Sequence, residues 1–252
     1  MYRVVAVIGT RPEAIKMFPV IKALSESSIV EPYVVITGQH AELCTDVLDM
    51  AGVTIDRRLT VDRKQGTINE LSSQVMASIG EVLEDLKLRS SIEGEPITIA
   101  TMVHGDTTSA MAAGVASAQA GIPVAHVEAG LRTYNPRGPF PEEINRQVIS
   151  KIATVQIAPT VPNEANLVRE QVSPKLVFVS GNTSIDALVW ATRQTPVWAN
   201  AAVQEFSTSD RPFIVVTLHR RENWDRLGEM CEAINEITRA PVSYTHLTLP
   251  TT

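Results

Sequence analysis

Cations beside a glycine turn, carboxylates after strand-like runs and a histidine among arginines are the side chains of this sequence that could do chemistry together. Arg11 and Lys16 belong to Gly9-Thr10-Arg11-Pro12-Glu13-Ala14-Ile15-Lys16, which follows the apolar run Val4 to Ile8. Thr10 suits a helix N-cap, Pro12 the first turn, and Glu13 stands three residues after Thr10, the spacing of a capping box. Free backbone N–H groups, the helix dipole and two cations together favour a bound anion, most simply a phosphate. An ordinary strand-to-helix turn carrying surface cations accounts for the segment equally well.

The carboxylates come next. Asp106 lies in His104-Gly105-Asp106-Thr107-Thr108, where a helix N-cap would also explain it. Glu128 follows Val124-Ala125-His126-Val127. A carboxylate at the tip of a buried strand is costly unless paired or used, and Arg132 is near enough in sequence to pair with it. Glu142 and Glu143 follow Pro141 at a predicted helix start, where the dipole accounts for one of them. Arg137 and Arg146 flank that pair. Carboxylates converging on one sheet edge, opposite an anion site, suit proton transfer at a carbon near a phosphate leaving group. Removing a weakly acidic C–H proton needs a carboxylate of raised pKa, which crowding of like charges supplies. A departing pyrophosphate needs donors, and Arg11, Lys16 and His219 are the candidates. His219 closes the strand-like run Phe213 to Leu218 and precedes Arg220-Arg221-Glu222-Asn223. A lone histidine is more often structural, but this one is expected to face a cleft from a second unit.

The elements that must position these residues alternate. Strand patterns at Tyr33 to Thr37, Ile97 to Val103, Pro123 to Val127 and Thr154 to Ala158 are separated by helical ones, the longest carrying Leu71, Val75, Ile79, Val82, Leu83 and Leu86 on one face. This order predicts an α/β fold with a doubly wound parallel sheet, ligands binding beyond the carboxyl ends of the strands. The expected organisation is an N-terminal domain over residues 1–161, a partial second α/β domain over 162–240, and an atypical tail over 241–252, uncharged, without helix pattern and foreign to the fold. Thr54 to Gly66 reads as a loop and Ala191 to Asp210 as irregular.

A formal charge of −6 makes nucleic acid an unfavoured partner. The longest stretch free of acidic and basic residues, Thr107 to Val127, is too weakly apolar to span a membrane. The N-terminus runs straight into the first strand and leaves no room for a signal peptide. Cys44 and Cys231 show no metal-ligand spacing and are expected as reduced core residues, in a cytoplasmic protein. Neither a dinucleotide-binding G-x-G-x-x-G nor a Walker loop is present, and no metal-ligand pattern stands out.

Taken in register, Gly9 to Lys16, Thr37-Gly38-Gln39-His40, His104 to Thr107, His126 to Arg132, Pro141 to Arg146, Gly181-Asn182-Thr183 and His219 to Asn223 resemble the bacterial non-hydrolysing UDP-N-acetylglucosamine 2-epimerases. The resemblance runs from Met1 to about Ala240. It implies a glycosyltransferase-B-type fold of two doubly wound domains, the second incomplete in this chain, with UDP-sugar between them. It implies interconversion of UDP-N-acetylglucosamine and UDP-N-acetylmannosamine, through loss and re-addition of UDP, without cofactor or metal, in cell-envelope polysaccharide synthesis. Asp106, Glu128 and Glu142 then match the proton-transfer carboxylates, and Arg11, Lys16 and His219 the nucleotide-sugar contacts. Members dimerise, and some bind a second UDP-N-acetylglucosamine as activator, for which Gln39 and the Thr54 to Gly66 loop are the region to search. The alternatives are a hydrolysing relative that releases N-acetylmannosamine and UDP, a UDP-sugar-binding fragment without activity, and a transferase of the same fold.

Overall fold

The computed structural model describes residues 2–39, 41–62, 64, 66–92, 97–198, 200–208, 216 and 221–239. Among the described residues, seven parallel strands form one open sheet: β1 (Tyr2–Ile8), β2 (Val30–Ile36), β3 (Arg57–Arg58), β4 (Thr98–His104), β5 (Val124–Val127), β6 (Val155–Ala158) and β7 (Val177–Val179). Their order is β3-β2-β1-β4-β5-β6-β7. The chain therefore winds outward from β1 in one direction and then in the other, and the order reverses between β1 and β4. In doubly wound sheets that reversal opens a crevice at the carboxyl ends.

The helices joining these strands are α1 (Arg11–Ser25), α2 (Ala41–Met50), α3 (Ile68–Ile92), α4 (Thr108–Gln119), α5 (Glu142–Ile152), α6 (Val161–Arg169) and α7 (Thr183–Ala191). They cover both faces because the strands are apolar on both. On one face Val5, Val7, Val35, Ile99 and Val103 pack under α3 and α4, against Leu71, Val75, Ile79, Leu83 and the alanines of α4. On the other, Ala6, Ile8, Val34, Ile36 and Met102 pack under α1 and α2, against Met17, Phe18, Ile21 and Leu48. Alternate residues of β1 thus serve opposite faces, as the strand period of two requires. The small side chains of α4 let it lie close to the sheet.

Four expectations change. The sheet does not stop at residue 161: β7 pairs with β6, and the first compact unit runs from Met1 to Gln194. Residues 162–194 belong to it because β7, reached through α6, pairs in parallel with β6, and Trp190 of α7 packs edge-on against Phe18 of α1. The polar loop from Thr54 contributes β3, a two-residue edge strand on β2. The second unit, Thr195–Thr252, includes α8 (Ala201–Ser207) inside the stretch read as irregular, then a 3-10 turn (Arg221–Arg226) and α9 (Leu227–Arg239). Cys44 is buried as expected, whereas Cys231 on α9 is exposed. The strand expected at Phe213 to Leu218 falls outside the described residues apart from Val216, as does the tail over 241–252.

Candidate active site

The site is built at the reversal point, from the turns that leave β1 and β4. They approach so closely that a Cβ on Gly9 would lie 2.5 Å from the Cβ of Ser109 in α4. Only glycine permits that approach. Glu13, in the first turn of α1, fills the gap between the turns and is buried. Its Oε2 accepts from the Gly9 N–H at 3.1 Å and the Thr10 hydroxyl at 2.8 Å, and its Oε1 accepts from the Thr107 hydroxyl at 2.8 Å. The expected capping box therefore forms only on its carboxylate side. Thr10 takes N-cap backbone angles, but its hydroxyl donates to Glu13 instead of accepting from the helix. Burial raises the Glu13 pKa against the pull of its hydroxyl donors.

Thr107, not Asp106, caps α4: its hydroxyl oxygen accepts from the Ala110 N–H at 3.0 Å. Asp106 is left to bind Arg146 of α5, whose Nε and Nη2 donate to Oδ2 at 2.8 and 2.6 Å. The Asp106 carbonyl also accepts from the Asn145 side chain at 2.8 Å. The start of α5 is thereby fastened to the turn after β4.

That start carries the two adjacent glutamates, and the structure separates their roles. Glu143 is buried and accepts from the N–H groups of Thr133 and Tyr134 at 3.0 and 3.1 Å, with Gln147 and Arg146 as further donors. These bonds outweigh burial and lower its pKa. Glu143 is the anchor of the Leu131 to Pro141 loop. Glu142 is different: its Oε2 is buried and has no hydrogen-bond partner among the described residues. A buried acceptor without a donor is costly in a folded protein, and such groups gather where a ligand is bound or a proton moved.

Glu128 follows β5 with φ of +62°, in the left-handed region that side chains other than glycine seldom occupy. Its Oε2 lies 2.6 Å from Lys16 Nζ and 3.3 Å from His104 Nε2. Burial would raise its pKa, but His104 and then Lys16 outweigh burial and hold it down to about 2. This reverses the expectation of a carboxylate raised by crowding: Glu128 sits between a lysine and a histidine, not among acids. Its expected partner Arg132 is engaged elsewhere, donating from Nε and Nη2 to Glu170 at 2.7 and 2.9 Å. Lys16 likewise is not a free cation, since Glu128 holds it. A shallow cleft beside Glu128 is bounded by Val127, Pro159, Gly181, Asn182 and Thr183, which places the Gly181-Asn182-Thr183 motif at the site.

Of the other predicted residues, Arg11 opens α1, exposed and without a side-chain partner among the described residues. Gln39 follows β2, its Oε1 accepting from Ser109 Oγ at 2.7 Å, while Ser109 also meets the Thr37 hydroxyl at 2.9 Å. His219 lies outside the described residues. The larger cavity, about 340 Å³, is bordered by Ile21, Lys22 and Val34 and touches none of the predicted catalytic or substrate-binding residues, although Thr54 and Asp56 of the loop singled out for an activator line it. Among the described residues no His, Cys, Asp and Glu cluster could hold a metal ion, and no helix is long and apolar enough to cross a membrane. Glu13, His104 and Thr107 are undervalued in the sequence analysis, although each stands within three residues of a predicted site group.

The sequence profile described as UDP-N-acetylglucosamine 2-epimerase matches residues 22–251. The chain belongs to the UDP-N-acetylglucosamine 2-epimerase family. The UDP-N-acetylglucosamine 2-epimerase of Yersinia pestis is 40% identical over 243 residues, covering 94% of this chain and 62% of that protein. Among solved structures, the UDP-GlcNAc 2-epimerase of Neisseria meningitidis bound to UDP-GlcNAc is 40% identical with a TM-score of 0.69, over 75% of this chain and 49% of that one. The epimerase of Methanocaldococcus jannaschii, in complex with UDP-GlcNAc and UDP, is 30% identical with a TM-score of 0.72, over 94% and 62% of the two chains. The chain spans about 60% of the length of the curated epimerases it matches. The doubly wound fold expected from sequence is thus the fold of this epimerase family.

Proposed function

We propose that the site serves C2 epimerisation of UDP-N-acetylglucosamine to UDP-N-acetylmannosamine, by elimination and re-addition of UDP. In the forward elimination a carboxylate takes the C2 proton, the C2–H electron pair forms a C1–C2 double bond, and the C1–O electron pair leaves with UDP. In the return step a carboxylic acid delivers a proton to the opposite face of C2, while a UDP oxygen re-forms the bond to C1. Glu142, Glu128 and Asp106 are the proposed proton-transfer acids. Arg11, Lys16 and His219 are the proposed nucleotide-sugar contacts.

The observation that carries this reading is the pairing of an unpartnered buried oxygen on Glu142 with cations at the same end of the sheet. A ligand with an acidic C–H would supply the donor that Glu142 lacks, and its diphosphate would meet Arg11, which has no side-chain partner among the described residues. The relatives whose structures contain UDP-GlcNAc or UDP support the same ligand class. Incubation with UDP-N-acetylglucosamine in deuterated water tests it. Deuterium at C2 with UDP still attached supports epimerisation. Free sugar together with UDP supports a hydrolysing relative. Stabilisation by the nucleotide sugar without deuterium uptake reduces the chain to a binding module.

A further inference from the structure

The 2.6 Å ion pair between Lys16 and Glu128 sets two proposed roles against each other. A lysine shared with a nucleotide diphosphate neutralises the carboxylate less than one that serves it alone, and a carboxylate neutralised by lysine is a poor acceptor for a carbon-bound proton. We propose that Lys16 is exchanged between two anions: in the free chain it holds Glu128, and an entering diphosphate takes Lys16 and leaves Glu128 free to accept a proton. The inference rests on the epimerase reading for the identity of the diphosphate.

The geometry permits the exchange. Both partners meet through one carboxylate oxygen, Oε2, so one movement of the lysine ends the contact. The side chains keep 26% and 13% exposure, so an anion in the crevice can reach the ammonium. Lys16 projects from α1, whose N-terminus and exposed Arg11 add to the attraction for a multiply charged anion. A diphosphate carries more charge than one carboxylate and competes favourably for an ammonium. Among the described residues, the charged and titratable groups facing Glu128 are Lys16 from α1 and His104 from β4. The far wall of its cleft, Val127, Pro159, Gly181, Asn182 and Thr183, has no titratable side chain. Loss of Lys16 therefore leaves burial opposed by His104 alone. A pKa of about 2 in the free state is too low for efficient proton abstraction near neutral pH, and the exchange raises it only when the ligand is in place.

The test is a carboxyl-carbon NMR titration of the full chain labelled with δ-13C glutamate, from pH 7.5 to 4.5, with the Glu128 signal assigned by E128Q. Without ligand the signal is expected to stay flat. With saturating UDP it is expected to titrate inside the range. K16M is expected to titrate without UDP, and K16R to stay flat as the unsubstituted chain does. A flat signal in K16M, or a flat signal in the unsubstituted chain with UDP bound, overturns the exchange and leaves the epimerase reading standing. Ligand-dependent titration without deuterium uptake at C2 of UDP-N-acetylglucosamine supports the exchange and defeats the epimerase reading. Failure of UDP to bind overturns both.

Discussion

Thr107 donates its hydroxyl proton to Glu13 at 2.8 Å, and this bond spans the point at which the strand order reverses. It joins the turn that carries Arg11 to the turn that carries Asp106. Glu13 also satisfies the Gly9 N–H and the Thr10 hydroxyl, so E13A leaves several buried donors unpaired. Each such donor costs about 1–3 kcal/mol, and E13A is expected to lose roughly 3 kcal/mol or more in urea unfolding. A change below about 1 kcal/mol would show that water or side-chain rearrangement replaces the carboxylate.

Gly9 is the steric counterpart of that bond. In G9A the new methyl group meets Ser109 at a separation no packed pair of carbons tolerates. Overpacking of this kind costs about 1–3 kcal/mol, read as a lowered thermal midpoint. Adding S109G is expected to restore part of the loss, because it removes the colliding atoms. No recovery would place the strain in the backbone turn.

The two adjacent glutamates are expected to separate by assay. E142Q removes no hydrogen bond seen in the structure, so its unfolding midpoint should stay close to that of the unsubstituted chain. Its deuterium exchange at C2 should fall about 100-fold or more, the usual size of a lost general base or acid. E143Q weakens the acceptor of the Thr133 and Tyr134 N–H groups and is expected to show the reverse order, with stability affected first.

Arg132 and Glu170 form a partly buried, two-bond ion pair that ties the Leu131 to Pro141 loop to the end of α6. R132M leaves the Glu170 carboxylate without its partner; breaking a fully buried pair costs about 3–5 kcal/mol, and this partly exposed one is expected to cost about 2 kcal/mol. Urea unfolding of R132M and of R132M/E170M, the latter expected to recover part of the loss, checks this.

His126 should make the fold acid-sensitive. It is fully buried beneath the site, its Nε2 bonded to the Gly105 carbonyl, and burial holds its pKa down to about 4 against an ordinary 6.5. The unfolded chain therefore takes up a proton that the folded chain refuses. The stability this group confers is complete above pH 6.5 and is lost as pH falls toward 4. Linkage gives a loss of about 2 kcal/mol between pH 7 and pH 5. Glu128 adds a loss of the same sign at lower pH, from its ordinary 4.5 down to about 2, whereas Glu13, with its raised pKa, opposes both. H126Q is expected to flatten the pH 7 to 5 portion of the stability curve; an unchanged slope would remove His126 as its source.

The sequence by itself determined the elements and their layering. Val4 to Ile8 is apolar at every position, so its strand had to be covered on both faces, and the helical period from Leu71 to Leu86 marked one of the covers. The turns after β1, β4 and β5 were legible because each joins an apolar run to a polar cluster within a few residues. Tertiary structure alone decided which charges meet. Glu128 had Arg132 four residues away yet pairs with Lys16, 112 residues distant, because only β4 separates β5 from β1, so the helix after β1 reaches the end of β5, while Arg132 turns toward α6. The domain boundary moved for the same kind of reason: β7 joins β6 through backbone hydrogen bonds whose partners no local pattern specifies. Periodicity is a property of neighbours in sequence. Ion-pair choice, burial and the resulting pKa belong to neighbours in space, and those exist only once the sheet has assembled.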